Sequence, residues 1–199
     1  CPGHRSEGEP VKGRRVETLA RKYLLPDMPG YRVRRSLLYF EPLCWTLRAY
    51  DFDSSSYSAD RFVVQAFCQP LYVPVEYLVF SFGDRLGTLG GGPERWWDLG
   101  SEDESAVMAE VLLRIRSEAE AVLEETETPE GFLRCLPRLS SYHTGPHYLE
   151  AKAYTEILLD RVADARTTIQ ELNRVVERDR DKYEWMLELQ RRANRVARA

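Results

Sequence analysis

The sequence lacks long hydrophobic runs, and it has no excess of glycine or proline. No apolar stretch in its 199 residues approaches the ~20 residues that a membrane-spanning helix needs, which argues against an integral membrane protein. With 12 glycines and 11 prolines, the chain is neither collagen-like nor dominated by linkers. Hydrophobic residues make up 43% and charged residues 30%, a composition typical of a globular protein.

Cysteine is scarce, and neither sign of charge is in large excess. The 28 basic and 32 acidic residues give a formal net charge of −4, so total charge gives no indication of nucleic-acid binding. The 4 cysteines, Cys1, Cys44, Cys68 and Cys135, are far apart and form no Cys-x-x-Cys pair. A disulfide framework is therefore not expected, and we predict a reducing, cytoplasmic location.

The first half of the chain is predicted to form one helix and an antiparallel sheet. Apolar residues at helical spacing predict a helix over residues 11–25 that ends at Pro26. Four strand candidates follow, at residues 33–40, 44–52, 61–69 and 77–82. The connections between them are too short for a crossover, so the pattern predicts an antiparallel meander.

A glycine-rich segment separates this sheet from the next helix. Residues 83–92 lack the spacing of a phosphate-binding loop, so we interpret them as a connector. At least one of Trp96 and Trp97 is expected to be buried and to anchor it. Ser101 and Glu104 have the spacing of a capping box, which predicts that an amphipathic helix begins there and packs on the sheet.

The remaining residues are predicted to be helical. Thr128 and Pro129 indicate a cap and a first-turn proline, and further helices are expected at 147–159 and 162–176. The segment 179–199 is predicted to be a long terminal helix.

Two apolar stripes run along this terminal helix. The stripe expected to pack inward consists of Tyr183, Met186, Leu187 and Gln190. The stripe left for a partner consists of Trp185, Leu189 and Val196, flanked by arginines that include Arg192. The alternative is that Trp185 folds back onto the hairpin and belongs to the core.

These elements predict an α+β protein. It has an N-terminal four-stranded meander sheet with a packed helix, followed by a helical hairpin and a long terminal helix. The predicted organisation is a mobile tail over 1–10, a sheet domain over 11–127, and a helical region over 128–199 packed on it.

No motif for metal binding or catalysis is complete. His143 and His147 are four residues apart, but Gly145 and Pro146 between them prevent a shared helix, and Glu150 and Cys135 do not complete a ligand pattern. We predict no metal site and no cofactor. Ser140 and Ser141 lie near His143 without the Gly-x-Ser-x-Gly elbow of a hydrolase.

Aromatic and arginine side chains are the candidates for partner binding. In the strand 44–52, alternation places Trp45 and Ala49 on one face and Arg48 and Tyr50 on the other. If that second face is open, arginine and tyrosine are the residues that protein interfaces enrich. The predicted binding residues are Arg48, Tyr50, Trp96, Trp97, Trp185 and Arg192.

Two parts of the chain resemble known families. Residues 62–67, followed by 70–74 and 82–86, resemble bacterial domain-of-unknown-function proteins with a small antiparallel sheet, which imply no activity. The helices from Leu149 to Leu172 resemble one tetratricopeptide-like hairpin, with Asp160 in place of the turn glycine. A single copy cannot form a solenoid, so we expect a hairpin that covers the sheet domain.

The leading functional prediction is a non-catalytic bacterial interaction or accessory protein, associated with immunity or defence, that binds a protein partner. The alternative is a small hydrolase or transferase with its site between the glycine-rich connector and the loop Tyr142–His147. A third prediction is nucleic-acid binding through the basic ends, since residues 1–40 carry nine basic and four acidic side chains.

Overall fold

The computed structural model describes residues 9–55, 57–58, 60–140, 145–179 and 184–196. Of the helical residues 9–13, 179, 184–185 and 196, it describes the backbone alone. The predicted tail therefore lies outside the described residues except at its last two positions, which belong to the first helix. No helix in the described part of the chain has the length and apolar character needed to cross a membrane.

The fold is α+β, and its sheet is the predicted meander with more strands than expected. The described strands are β1 (Tyr31–Arg34), β2 (Leu37–Phe40), β3 (Thr46–Ser54), β4 (Arg61–Pro70), β5 (Gly83–Arg85) and β6 (Trp97–Asp98). Their order is β1-β2-β3-β4-β5, and β6 pairs with β4. The β1/β2 and β2/β3 pairs are antiparallel, with Val33 opposite Leu38 and Leu38 opposite Tyr50.

Two of the strand predictions were wrong. The candidate at 33–40 is a hairpin, because Arg35 adopts φ +56° and turns the chain between β1 and β2. The candidate at 77–82 is irregular. There the side chain of Gln69 replaces ladder hydrogen bonds, since its amide donates to the Tyr77 carbonyl (3.2 Å) and its oxygen accepts from Val79 N–H (2.9 Å).

The helices are α1 (Glu9–Tyr23), α2 (Glu104–Arg114), α3 (Ala121–Glu125), α4 (Pro129–Leu139), α5 (Pro146–Leu158), α6 (Val162–Asp179) and α7 (Glu184–Val196). A short 3-10 turn spans Leu25–Asp27, and a π-helical stretch, Ile115–Glu120, joins α2 to α3.

The chain divides into two compact units, each discontinuous in sequence. The first contains Cys1–Pro42, Ala49–Ala66 and Arg85–Ala121, and the second contains Leu43–Arg48, Phe67–Asp84 and Val122–Ala199. The predicted domains, residues 11–127 and 128–199, are continuous segments instead.

In the first unit, α1 covers the outer edge of the sheet. Glu17 accepts a hydrogen bond from the Arg35 backbone N–H (2.9 Å), and Arg21 donates to the Val33 carbonyl (3.0 Å). Glu17 and Arg21 also pair with each other at 2.8 Å, one helical turn apart. Arg21 therefore satisfies a carbonyl that β1, as an edge strand, directs away from its neighbour, and Glu17 satisfies an amide of the turn that follows β1.

Helix α2 begins at a different cap from the predicted one. The Asp103 carboxylate accepts from Ala106 N–H at 3.0 Å, whereas the predicted cap Ser101 is exposed two residues earlier. Asp103 is the cap because the helix begins directly after it, at Glu104, where its carboxylate reaches the free N–H of Ala106. The apolar side chains of this helix and its continuation that are buried include Val111, Ile115 and Leu123.

In the second unit, α5 and α6 form the predicted hairpin, and α7 packs on both. Asp160, at φ +58°, occupies the turn where a glycine is common. The Thr128 cap of α4 is confirmed, since its hydroxyl accepts from Gly131 N–H at 3.1 Å.

The stripe prediction for α7 was wrong at Leu189, which is buried together with Met186 and Ala193. These three residues recur at positions i, i+3 and i+7, so they lie on one buried face of α7. That face includes Leu189, which was expected to face a partner. The Tyr183 position and the side chains of Trp185 and Val196 lie outside the described residues.

Candidate functional site

A cleft of about 490 Å³ opens in the first unit where three separate parts of the chain meet. Its lining comprises Asp53, Ser54, Ser55, Tyr57, Arg61, Arg85 and Trp96. The three parts are the segment 53–61 from the end of β3 to the start of β4, the end of β5, and the residue before β6. No short sequence motif encodes the site, because the sheet brings together segments that are distant in sequence.

The two adjacent tryptophans have different environments because successive residues of a strand point to opposite sides. Trp97 lies opposite Phe62 in the β4/β6 pair and stacks on it with ring centroids 5.5 Å apart. It is fully buried, and its indole N–H donates to Glu110 at 3.1 Å. This confirms that one of the two tryptophans is buried. Trp96 is half-buried and lines the cleft.

Trp96 is held by an acidic residue that also fixes an arginine. The Glu94 carboxylate accepts from the Trp96 indole N–H at 2.8 Å and from Arg85 at 2.5 Å. The hydrogen bond from Arg85, and to a smaller extent the one from Trp96, lowers the pKa of Glu94. The Arg85 guanidinium lies over the Trp96 ring, 5.8 Å from its centroid, and also reaches Asp53 at 3.5 Å.

A second arginine lies over the same ring. The Arg61 guanidinium is 5.6 Å from the Trp96 centroid, within the range of a cation–π interaction. Arg61 is exposed at the start of β4 and forms no ion pair with any carboxylate of the described residues. Two guanidinium groups and one indole therefore form a stacked cluster at the mouth of the cleft.

The glycine-rich connector that precedes Trp96 is fixed by ion pairs as well as by Trp97. Arg95 forms a two-pronged pair with Glu110, at 3.0 and 2.9 Å, and Arg114 joins Glu110 to Glu118. Glu118 accepts from the Gly87 backbone N–H at 2.5 Å. The sequence predicts a tryptophan anchor for this connector, and these ion pairs are an additional anchor that the sequence analysis missed.

The cleft has no arrangement suited to acid–base or nucleophilic catalysis among its described residues. Its lining contains no histidine or cysteine, and Asp53 pairs with Arg85. The lowered pKa of Glu94 makes that carboxylate a weaker base. The Ser55 hydroxyl accepts from Tyr57 N–H at 3.1 Å and contacts no base that could activate it.

Arg48 and Tyr50 do not form an open face. Arg48 is 7% exposed and Tyr50 is fully buried, with its ring 5.9 Å from that of Tyr31. The condition under which these two residues were predicted to bind a partner, an open face of β3, is not met, since the strand is buried over Thr46–Tyr50. Alternation along one strand indicates which residues share a face, but it does not show whether that face is covered.

Arg192, another predicted binding residue, is engaged within the second unit. It pairs with Glu150, which is 1% exposed, through two hydrogen bonds of 3.0 and 3.2 Å. Burial raises the pKa of Glu150, and the bond to Arg192 opposes that rise. This pair ties α5 to α7. The side chain of Trp185, also a predicted binding residue, lies outside the described residues.

The candidate metal ligands are not gathered. Glu150 pairs with Arg192, and the Cys135 thiol donates to Glu125 at 3.2 Å. His143 and most of the loop Tyr142–His147 lie outside the described residues. Within the described ranges, no three His, Cys, Asp or Glu side chains are placed to hold a metal ion.

Sequence reasoning identified Trp96 and missed the residues around it. Tyr57 could have been found, because a lone tyrosine among four serines in a polar turn has no core to enter. Arg61 and Arg85 carry no local signal, since their shared contact with Trp96 depends on strand pairing.

Comparison with known proteins gives no relative on which to rely. No protein-family model, curated protein or solved structure matches the chain.

Proposed function

We propose that this chain is a non-catalytic protein that binds a protein partner through the cleft around Trp96. The observation that supports the proposal is the stack of Arg61 and Arg85 on a half-buried tryptophan. Tryptophan, tyrosine and arginine are the residues most enriched among those that dominate binding energy at protein interfaces.

The cluster is organised before any partner arrives. Glu94 holds both Trp96 and Arg85, and the ring restricts the two guanidinium groups that lie over it. Side chains that are already ordered lose less entropy when a partner binds, so more of the contact energy becomes affinity. An ordinary surface arginine has no such constraint.

Tyr57 extends this surface outward. Its side chain is 99% exposed, and the serines beside it supply a polar border to the cleft. A large amphipathic side chain at full exposure gains most of its contact area when a partner covers it. The arrangement of aromatic centre and polar rim is that of a protein-binding patch.

The proposal can be tested by photo-crosslinking in the native host. A benzophenone amino acid replaces Tyr57, and a matched control replaces Leu113, which is 66% exposed on α2 of the same unit. We expect a discrete protein adduct from position 57 that Trp96→Ala removes, and none from position 113. Equal labelling from both positions, or an adduct that survives Trp96→Ala, contradicts the proposal.

The hydrolase or transferase alternative, the nucleic-acid alternative and the association with immunity or defence stay predictions from the sequence. No contact within the described residues favours one of them. The cleft favours binding over catalysis, because its two carboxylates, Asp53 and Glu94, form ion pairs with Arg85.

A further inference from the structure

We infer that the partner presents an acidic segment to this cleft, with one side-chain carboxylate paired to Arg61 beside the ring of Trp96. The inference rests on the proposed function and specifies the chemistry of the partner. The reason is that Arg85 forms ion pairs within the cleft and Arg61 forms none with the described residues.

One of the two arginines is neutralised within the chain, and the other is not. Arg85 has Glu94 at 2.5 Å and Asp53 at 3.5 Å. Arg61 has no carboxylate partner among the described residues, although it is ordered by its position over Trp96. A guanidinium that is held in place and lacks a counter-ion presents its donors to whatever enters the cleft.

The groups beside Arg61 also suit an acceptor. Ser54, Ser55 and Tyr57 bring hydroxyl groups to the lining. Because the Ser55 oxygen accepts from Tyr57 N–H, its proton is left to donate elsewhere. A carboxylate only accepts hydrogen bonds, and it can receive a two-pronged bond from a guanidinium.

The charges around Arg61 favour a carboxylate over a phosphate. Arg61 has no carboxylate partner among the described residues, whereas Asp53 and Glu94 share the single charge of Arg85, so the ligand that fits Arg61 adds the least negative charge. A phosphate monoester carries about −1.5 to −2 at pH 7 and would leave excess negative charge close to Asp53 and Glu94. A basic partner would have to compete with Arg85 for Asp53 and Glu94 and would meet the like charge of Arg61.

The test uses three peptides that differ at one central residue: Glu, Gln or phosphoserine in the sequence Gly-Ala-Leu-X-Leu-Ala-Gly with blocked ends. Binding to the full chain is followed by NMR through the indole N–H signals of Trp96 and Trp97. We expect the Glu peptide to shift the Trp96 signal. The buried Trp97 signal serves as an internal reference.

Three variants identify the contact. Arg61→Gln should weaken binding of the Glu peptide about tenfold or more, the range for a hydrogen bond to a charged group. Arg61→Lys, which keeps the charge and loses the fork, should weaken it less. Arg34→Gln removes an exposed arginine of the same unit that lies outside the cleft, and it should leave binding unchanged.

The inference is overturned if the Gln peptide binds as well as the Glu peptide, if phosphoserine binds more tightly, or if Arg61→Gln acts no more strongly than Arg34→Gln. Since Arg61 is exposed, these variants are expected to fold, and circular dichroism checks that they do. A specific adduct from position 57 together with failure of the Glu peptide would leave the proposed function standing and remove the acidic partner. Loss of the adduct itself would remove the proposed function.

Discussion

Gly87 is the residue in the connector whose conformation and surroundings both require glycine. Its φ is +96°, and a Cβ at this position would lie 2.2 Å from the backbone carbonyl oxygen of Pro93. The Gly87 N–H is the one held by Glu118. A side chain here would therefore displace the strand-to-helix connector from its anchor.

Two glycine variants separate strain from collision. Gly91 has φ +80° with no atom within 4 Å of a built Cβ, so Gly91→Ala should cost about 1–2 kcal/mol of unfolding free energy from its backbone conformation alone. Gly87→Ala adds an overlap with backbone atoms, worth about 1–3 kcal/mol more. Urea unfolding of both variants measures the difference, and equal losses would contradict the assigned close approach.

The adjacent tryptophans should respond differently to truncation. Trp97→Ala removes a fully buried ring and should lower the unfolding free energy by about 3–5 kcal/mol. Trp96→Ala removes a half-buried ring at the cleft and should cost about 1 kcal/mol, the typical loss for a single substitution. Thermal and urea unfolding compare the two, and similar losses would mean that Trp96 belongs to the core.

At the scale of elements, the beginning of α2 distinguishes two competing caps. Asp103→Ala should lower the unfolding free energy by about 1 kcal/mol, because the Ala106 N–H loses its acceptor. Ser101→Ala should leave it unchanged within about 0.5 kcal/mol. The opposite result in urea unfolding would restore the capping box that the sequence spacing predicts.

The contact between α5 and α7 depends on a buried charge. Arg192→Met leaves the Glu150 carboxylate without its counter-ion and should cost about 3–5 kcal/mol at pH 7. Glu188→Gln is the matched control. It removes the more distant carboxylate partner of Arg192, at 3.9 Å on the surface, and should cost less than about 1 kcal/mol.

The sign of the pH dependence follows from the same burial. The pKa of Glu150 is raised in the folded state, so stability falls as the pH rises through that value and a buried negative charge forms. Without Arg192 this loss grows. The destabilisation of Arg192→Met should therefore shrink as the pH is lowered towards the ordinary glutamate value of about 4.3. A loss that is independent of pH would assign the effect to packing.

At the scale of the whole molecule, local signals were predictable and pairing between distant segments was not. Thr128 was identified as a cap because the cap and its first-turn proline are adjacent in sequence. The segment 77–82 was misassigned because a distant side chain, Gln69, supplies its hydrogen bonds. Arg48 was misplaced because coverage of the second face of β3 is decided by parts of the chain outside that strand.

The candidate site shows the same limit. Trp96 was found through its neighbourhood of glycines and aromatics, whereas Arg61 and Arg85 are separated from each other by 24 positions, 85 minus 61, and meet on one ring. Composition favours a binding surface somewhere on the chain. The pairing of β4 with β6 determines where the candidate cleft lies.

The cover that α1 places on β1 matters for the behaviour of many copies in concentrated solution. An edge strand with free amides and carbonyls is a template on which strands of other molecules add, the first step of sheet aggregation. At β1, Arg21 occupies a carbonyl that such growth would need, and Glu17 occupies the amide of Arg35 directly after the strand. An ion pair on a helix here does the protective work that other sheets assign to a proline, a bulge or an inward-facing lysine.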